Sequence, residues 1–307
     1  MSIVKLAFST IQDPPKPAWL KIRPPSTEKF ESIKNTLQET GLHTVCQSAH
    51  CPNQTECWSG GTATFMVLGN ICTRGCRFCS VPKGVKGEEL DLLEPLKLAN
   101  SVEKWGLSYV VITSVDRDDL PDEGSNHFAN CIRALADRTP SVFCEVLIPD
   151  FKGNPALISN IVNAKPKVIA HNLETTKDLQ SSVRDPRANY EQSLRVLKIV
   201  KELDPSIYTK SALMLGLGET PQMVEMAFDD LRAVGCDFLT LGQYLRPSLK
   251  HLPVSKFITP EEFENYRQIA LKKGFKYVAA GPFVRSSYKA GEFFIKSIVE
   301  KPSTSVA

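Results

Sequence analysis

From Thr62 onward, short runs of β-branched and other apolar residues alternate along the chain with longer segments of helical periodicity. This alternation is typical of parallel strands joined by helical crossovers. The apolar runs predict strands at residues 62–68, 109–113, 142–148, 168–172, 208–215 and 238–241. Six such units predict an α/β fold, a partial (βα)6 barrel of the TIM type, in which polar residues that directly follow the strands gather at one end.

The chain on either side of these units has a different pattern. Residues 1–60 contain a proline-rich stretch, a predicted amphipathic helix at 27–39 and a cysteine-bearing loop. Residues 260–273 predict a helix with Thr259 as its N-cap, and the β-prone residues 277–280 follow it. We therefore predict an N-terminal extension at 1–60, a barrel at 61–250 and a C-terminal extension at 251–307.

Composition excludes several classes of protein. The 307 residues are 42% hydrophobic and 23% charged, as in an ordinary globular protein. The net charge of +3, from 37 basic and 34 acidic residues, is too balanced for a nucleic-acid binder. No apolar run is long enough to span a bilayer, and the N-terminus resembles neither a signal peptide nor a transit peptide. We therefore expect a cytoplasmic protein with no nucleic-acid and no membrane partner.

The chain has nine cysteines, and in a reducing compartment their main uses are metal binding and catalysis. Three of them, Cys131, Cys144 and Cys236, lie singly in apolar surroundings, where we expect inert buried thiols. The other six form two groups, and these carry the candidate chemistry.

An acidic run contains Asp118, Asp119 and Asp122. Carboxylates at this spacing offer oxygen ligands for Mg²⁺ or Ca²⁺. We predict instead a solvated loop, the commoner role of such a run.

The first group is Cys72, Cys76 and Cys79, in the spacing C-x3-C-x2-C directly after the first predicted strand. A structural zinc site needs four protein ligands, and no fourth cysteine or histidine lies in this loop. Three thiolates on a four-iron cubane leave one iron open, which can chelate the amino and carboxylate groups of S-adenosylmethionine. The motif and its position resemble the radical S-adenosylmethionine superfamily, which implies cleavage of that cofactor to a 5'-deoxyadenosyl radical.

The second group, Cys46, Cys51 and Cys57, stands upstream in the spacing C-x4-C-x5-C. Taken alone, this spacing leaves a zinc site open, because His43 and His50 offer further ligands. Together the two triplets, with Cys-Pro-Asn and Glu-Cys-Trp inside the upstream one, resemble the lipoyl synthase family over essentially the whole chain. Further matching segments lie at 171–175, 183–190, 216–219, 241–244 and 285–288.

The resemblance implies insertion of two sulfur atoms at carbons 6 and 8 of an octanoyl chain linked to a carrier-protein lysine. An alkyl C–H bond offers no acidic proton and no leaving group, so acid–base and nucleophilic side chains have nothing to act upon. The implied cofactors are two 4Fe-4S clusters, one consumed as the sulfur donor, and S-adenosylmethionine. The implied partners are an octanoylated lipoyl domain of the glycine-cleavage H protein or a 2-oxoacid dehydrogenase, a ferredoxin or flavodoxin, and an iron–sulfur carrier that rebuilds the donor cluster.

The resemblance also assigns roles to residues of this chain. It makes Ser287 the fourth ligand of the donor cluster, beside Cys46, Cys51 and Cys57, and makes Arg285 the residue that stabilises either this anionic cluster or the departing group. The C-terminal extension then closes the barrel mouth. The S-adenosylmethionine contacts that it implies are Asn172, Glu174, Arg184, Gly216, Gly218, Glu219, Gln243 and Tyr244.

Two alternatives remain open at this point. Another radical sulfur-inserting enzyme, methylthiolating or biotin-forming, fits less well, because the first usually has a larger N-terminal domain and a nucleic-acid-binding tail and the second lacks the upstream triplet. A non-catalytic iron–sulfur carrier or zinc-binding module has no need of a whole barrel.

Overall fold

The computed structural model of the chain describes residues 11–20, 28–48, 51, 53–59 and 62–286. One eight-stranded sheet runs in chain order from first strand to last. Its strands are β1 His43–Thr44, β2 Ala63–Val67, β3 Tyr109–Ser114, β4 Phe143–Leu147, β5 Val168–Ala170, β6 Tyr208–Leu215, β7 Phe238–Gln243 and β8 Tyr277–Gly281. Strand β1 is antiparallel to β2, and every later strand is parallel to the one before it. Among the described residues β1 and β8 do not pair, so the sheet forms an open barrel.

Helices flank the strands and cover the outside of the sheet. They are α1 Glu28–Thr40, α2 Val45–Ser48, α3 Gln54–Ser59, α4 Glu94–Lys104, α5 Ser125–Arg138, α6 Pro155–Asn163, α7 Gln180–Val183, α8 Tyr190–Leu203, α9 Pro221–Ala233 and α10 Pro260–Lys272. Four of these helices begin at an N-cap side chain that accepts a backbone N–H group of the first turn. The N-cap residues are Asn154, Asn189, Thr220 and Thr259. None of the described helices combines the length and apolar character needed to cross a bilayer.

Alternate residues of the barrel strands point inward and outward. The first residues of β3 to β8 form an apolar floor at one end of the barrel interior. These residues are Tyr109, Phe143, Val168, Tyr208, Phe238 and Tyr277. The rings of Tyr109 and Phe143 stack with centroids 4.9 Å apart, and those of Tyr208 and Phe238 with centroids 5.1 Å apart. The opposite end, where the parallel strands terminate, is the barrel mouth.

The predicted partial α/β barrel is confirmed, and the sheet has two strands more than the six predicted units, the antiparallel β1 before them and β8 after them. The β-prone stretch 277–280 forms β8, parallel to β7. The predicted helix 260–273 is present as α10, with Thr259 as its cap. Strand β5 ends at Ala170 and not at Asn172. The chain bends there because Glu174 has a left-handed φ of 66° before it bridges to Leu213 of β6. The division into three regions stays a prediction.

Candidate functional site

The C-x3-C-x2-C loop lies at the barrel mouth, directly after β2. The Cys72 N–H donates to the Pro82 carbonyl at 2.8 Å, and the Asp185 N–H donates to Cys76 Sγ at 3.4 Å. Burial raises the pKa of Cys72 to about 12 and of Cys76 to about 11, and the nearby charge of Cys79 raises both. Three thiols that are desolvated together and repel one another as thiolates are stabilised by a metal centre that replaces their protons.

The upstream triplet lies beside β1 and β2. The Cys51 N–H donates to the Cys46 carbonyl at 3.0 Å, and the Cys57 N–H donates to the Asn53 carbonyl at 2.9 Å. Burial and, to a smaller extent, the charge of Cys51 raise the pKa of Cys46 to about 11. These thiols therefore have the same electrostatic need for a cation as the first group. His50, the alternative zinc ligand, lies outside the described residues.

The C-terminal segment reaches this upstream triplet. Asn53 Nδ2 donates to the Phe283 carbonyl at 2.5 Å, across 230 residues of chain. The Arg285 guanidinium is desolvated by burial, which lowers its pKa, while the charge of Cys51 raises it. Residues 283–285 thus lie against the cysteine loop, as a ligand from this segment requires. Ser287 itself lies outside the described residues.

Three of the predicted S-adenosylmethionine contacts lie together near the first cysteine group. Asn172 Nδ2 donates to Glu174 Oε1 at 3.0 Å. Burial raises the pKa of Glu174, and the charge of Arg184 and the hydrogen bond from Asn172 lower it. Burial raises the pKa of Cys79, and the charge of Glu174 raises it further. The bend after β5 therefore turns this carboxylate toward the cysteine loop.

The same residues carry buried polar atoms that have no partner in the described part of the chain. They are Asn172 Oδ1 and Arg184 Nε. The Arg184 Nη1 hydrogen bonds go to neutral oxygens, with Ser193 Oγ the nearest at 2.8 Å. No carboxylate of the described residues hydrogen-bonds this buried guanidinium, and such a group is stabilised by an anionic hydrogen-bond partner at its Nε. An amino acid moiety beside the cysteines supplies both the carboxylate and a donor for Asn172.

The Glu219 side chain closes the turn 216–219 that follows β6. Glu219 Oε1 accepts the Gly216 N–H at 2.5 Å, and Oε2 accepts the Leu217 N–H at 2.9 Å. Gly216 has φ +98° and Gly218 has φ +113°. A Cβ on Gly216 would lie 2.3 Å from the Lys256 carbonyl, so only glycine fits there.

Gln243 and Tyr244 hold the loop that follows β7. The Gln243 side-chain amide donates to the Leu215, Tyr244 and Lys256 carbonyls, and its oxygen accepts the Ile258 N–H. The Tyr244 hydroxyl donates to the Leu252 carbonyl at 2.8 Å. These polar contacts lie within the protein, so a role of Gln243 and Tyr244 toward S-adenosylmethionine stays a prediction.

A charge network that the sequence analysis missed holds the first cysteine loop in place. Arg74, between Cys72 and Cys76, is 3% exposed and contacts three carboxylates. Its Nη2 lies 2.8 Å from Asp150 Oδ1 and 3.0 Å from Asp118 Oδ1, and its Nη1 lies 3.4 Å from Asp116 Oδ1. An arginine inside the cysteine motif was the only sequence signal for this network.

The network also corrects the prediction of a solvated acidic loop. Asp118 is bound by Arg74, and Asp119 makes an ion pair with Arg117 at 2.8 Å. Asp122 accepts the Asn126 N–H at the start of α5. The prediction was wrong because two arginines lie inside the protein, where each requires carboxylate partners.

The burial expected for the isolated cysteines is confirmed: Cys131, Cys144 and Cys236 are all buried. Cys131 lies beside Glu94 and His127, and the ligand atoms of these three lie within 4.8 Å of one another. Glu94 Oε2 is already used, because it accepts the Leu68 N–H at 3.0 Å and lies 2.7 Å from His127 Nε2. The group is therefore a hydrogen-bonded contact between α4 and α5.

Comparison with solved structures identifies the fold. A crystal structure of methylornithine synthase aligns over 98% of this chain and 97% of its own, with a TM-score of 0.52 and 11% identity. An FeFe-hydrogenase maturase from Carboxydothermus hydrogenoformans aligns over 89% of this chain and 77% of its own, with a TM-score of 0.54 and 13% identity. At such low identity these likenesses support the fold alone.

Comparison of sequences identifies the family. Residues 66–231 match the Radical SAM superfamily. Lipoyl synthase, mitochondrial, of Vitis vinifera is 52% identical over 291 residues, covering 93% of this chain and 74% of that protein. Lipoyl synthase 1, mitochondrial, of Pisum sativum is 52% identical over 292 residues, covering 93% and 78%. The chain therefore belongs to the lipoyl synthase family of the radical S-adenosylmethionine superfamily.

Proposed function

We propose that this enzyme inserts two sulfur atoms at carbons 6 and 8 of an octanoyl chain bound to a carrier-protein lysine, giving the lipoyl group. The observation that carries the proposal is the arrangement of the two cysteine triplets. One lies at the barrel mouth beside Asn172 Oδ1 and Arg184 Nε, which have no partner among the described residues, and the other contacts residues 283–285. A single metal site, or a carrier of one cluster, needs neither arrangement.

We assign Cys72, Cys76 and Cys79 to the 4Fe-4S cluster that binds S-adenosylmethionine. We assign Cys46, Cys51 and Cys57, with Ser287, to the second 4Fe-4S cluster. When bound, the two clusters and S-adenosylmethionine supply the 5'-deoxyadenosyl radical and the sulfur that the reaction requires.

The chain's own side chains bind and orient the cofactor. Arg184 pairs with the methionyl carboxylate through its Nε, which has no partner among the described residues, and the hydrogen bond that its Nη1 donates to Ser193 Oγ fixes the guanidinium. Asn172 and Glu174 hydrogen-bond the methionyl and ribose groups. The Gly216, Gly218 and Glu219 turn provides a backbone platform for the adenosyl part. The roles of Asn172, Glu174 and Arg184 rest on their position near the first cysteine group, and the role of the 216–219 turn rests on the family resemblance.

Arg285 has a separate task beside the second group. Its buried guanidinium lies near Cys51 and hydrogen-bonds the Pro282 and Val284 carbonyls. A positive charge here offsets the negative charge of thiolates and of the sulfide that they surround. Because the donor cluster is dismantled in the reaction, an oxygen ligand such as Ser287 suits a site that must release iron.

The proposed partners follow from the substrate. The octanoyl chain arrives on a lipoyl domain of the H protein or of a 2-oxoacid dehydrogenase. A ferredoxin or flavodoxin supplies electrons, and an iron–sulfur carrier rebuilds the donor cluster. The relatives from Vitis vinifera and Pisum sativum are named as mitochondrial proteins. The cytoplasmic location expected for this chain stays a prediction.

The test is anaerobic incubation of the reconstituted chain with S-adenosylmethionine, a reductant and an octanoyl-lysine peptide, followed by mass spectrometry. We expect a product that has gained two sulfur atoms and two equivalents of 5'-deoxyadenosine per lipoyl group. A Cys131→Ala variant is the matched control and retains this activity, because Cys131 lies in α5 beside Glu94 and His127 and belongs to neither triplet. A product with one methylthio group, or cleavage with no sulfur transferred, would contradict the proposal.

A further inference from the structure

A charged pair lies inside the barrel, on the mouth side of the apolar floor. Lys210 of β6 has its Nζ 2.8 Å from Oε1 and 3.0 Å from Oε2 of Glu145 in β4. The side chains of Lys210 and Glu145 are 4% and 0% exposed. The Tyr109 hydroxyl donates to Glu145 Oε2 at 2.5 Å, so the carboxylate is held from two sides. The attraction within a buried ion pair offsets the free-energy cost of desolvating its two charges only when further hydrogen bonds satisfy both groups.

Lys210 makes a further hydrogen bond to residues 283–286, which we call the C-terminal segment. Its ammonium group donates to the backbone carbonyl of Ser286. A lysine has three donors, and here they are shared between one carboxylate and one carbonyl. The backbone of Ser286 is therefore bound to the Lys210–Glu145 pair inside the barrel.

Two other contacts fix the same segment. Asn53, which lies between Cys51 and Cys57, donates through Nδ2 to the Phe283 carbonyl. At Gly242 in β7, a Cβ would lie 2.1 Å from the Val284 carbonyl, so the segment passes where only glycine leaves room. Phe283 is thus bound to the upstream cysteine loop and Ser286 to β6, and Val284 packs directly against β7 between them.

We propose that Lys210, oriented by Glu145 and Tyr109, and Asn53 are positioning residues that dock the C-terminal segment, so that Ser287 reaches the upstream cysteines. The proposal rests on the assignment of Ser287 to the second cluster. Neither side chain takes part in the reaction. The charge of Lys210 acts at the residue immediately before the ligand, and Asn53 ties the cysteine loop to the segment that supplies it. We call the contacts of Lys210 and Asn53 with residues 283–286 the clamp.

The experiment measures amide hydrogen exchange of peptides covering 281–286 in the full-length chain, before and after anaerobic cluster reconstitution. The variant is Lys210→Met with Glu145→Gln, which removes the pair without leaving a buried charge. We expect exchange in 281–286 to accelerate roughly tenfold to a hundredfold in the cluster-free chain, the effect of losing a hydrogen bond from a charged donor. Iron of the second cluster should also pass to a chelator at least about tenfold faster, while S-adenosylmethionine cleavage continues.

The matched control is Lys201→Met with Asp237→Asn. It removes another lysine–carboxylate pair of the barrel, with Nζ 2.6 Å from Asp237 Oδ2. Asp237 also pairs with Lys276 at 2.9 Å, but neither Lys201 nor Asp237 has a hydrogen bond or ion pair to residues 283–286 in the described part of the chain. Exchange in 281–286 should be unchanged in the control. Equal acceleration in both variants would show general loosening of the barrel and overturn the proposal, as would no acceleration in the Lys210 variant.

A second variant, Asn53→Ala, tests the clamp from the other side and decides the matter if the barrel variant does not fold. It should also accelerate exchange in 281–286, and unchanged exchange would overturn the proposal. These readings do not depend on turnover. If the segment is released as expected but the wild-type chain makes no lipoyl product, the clamp stands and the proposed function fails.

Discussion

At the scale of single residues, Arg184 is a buried cation that makes no ion pair with a carboxylate among the described residues. Its Nη1 is satisfied by neutral oxygens and its Nε by none among the described residues. We therefore expect Arg184→Met to weaken S-adenosylmethionine binding by about 1.5–3 kcal/mol, or tenfold to more than a hundredfold, since a hydrogen bond to a charged group is lost. Equilibrium binding to the reconstituted chain measures this. Arg133→Met, on the exposed side of α5, is the control, and equal affinity in both variants would contradict the assignment.

Ser287 is the residue whose assignment depends most on the family. Ser287→Ala should perturb the spectrum of the second cluster and stop sulfur insertion. Ser287→Cys should keep the cluster but hold its iron too firmly for release, because thiolate is the softer ligand. Both variants should still cleave S-adenosylmethionine. Ser286→Ala is the control. Wild-type turnover in Ser287→Ala would refute the assignment, and loss in Ser286→Ala alone would transfer it to that neighbour.

The sequence predicted single residues well where a motif carries them and poorly where only the fold brings them together. Cys72, Cys76 and Cys79 are recognisable from spacing, because ligands of one centre must lie close along the chain. The carboxylate partners of Arg74 come from the loops after two different strands, β3 and β4, and no local pattern marks them. Lys210 and Glu145 are charged residues within otherwise apolar predicted strands. The sequence alone does not show that they face each other inside a barrel.

At the scale of elements, the two cysteine loops are separate units. One follows β2 at the barrel mouth, and the other surrounds α3 and is joined to the C-terminal segment by Asn53. Alanine at Cys72, Cys76 and Cys79 together should abolish S-adenosylmethionine cleavage and leave about four of about eight irons.

Alanine at Cys46, Cys51 and Cys57 should also leave about four irons, but cleavage should continue while sulfur insertion stops. Iron analysis, 5'-deoxyadenosine release and peptide mass spectrometry separate the two triple variants. Lipoyl product from the second one would make the upstream triplet structural.

The strands and helices of the barrel were predictable because apolar runs and caps are local properties. The residues of strand β8 were recognisable as a β-prone stretch. Nothing in residues 277–280 shows, however, that this stretch pairs with β7 as part of the barrel sheet and does not belong to a separate C-terminal extension. The bend after β5 was not predictable either. It depends on a left-handed residue, Glu174, that the bridge to Leu213 holds in place.

At the scale of the whole molecule, the charge network of Arg74 joins the loops that follow β2, β3 and β4. Asp150, 1% exposed after β4, is its most buried carboxylate. Burial alone would raise the pKa of Asp150, but the hydrogen bonds and charge of Arg74 lower it to about 2. The barrel mouth is therefore held by ion pairs that depend on ionised carboxylates.

A carboxyl whose folded-state pKa lies below its unfolded value stabilises the fold above the unfolded value, and this stabilisation is lost as pH falls through the folded one. For Asp150 the window runs from about pH 4 down to about pH 2, and a shift of nearly two units corresponds to about 2 kcal/mol. Asp150→Asn should therefore lower the free energy of unfolding of the cluster-free chain by about 2 kcal/mol at pH 7. The difference from wild type should shrink as the pH is lowered below about 4, because wild-type Asp150 then takes up its proton as well. Urea unfolding at a series of pH values measures it, with the exposed Asp178→Asn as the control. A difference that stayed constant down to the acid limit would mean that Asp150 acts through packing and not through its charge on Arg74.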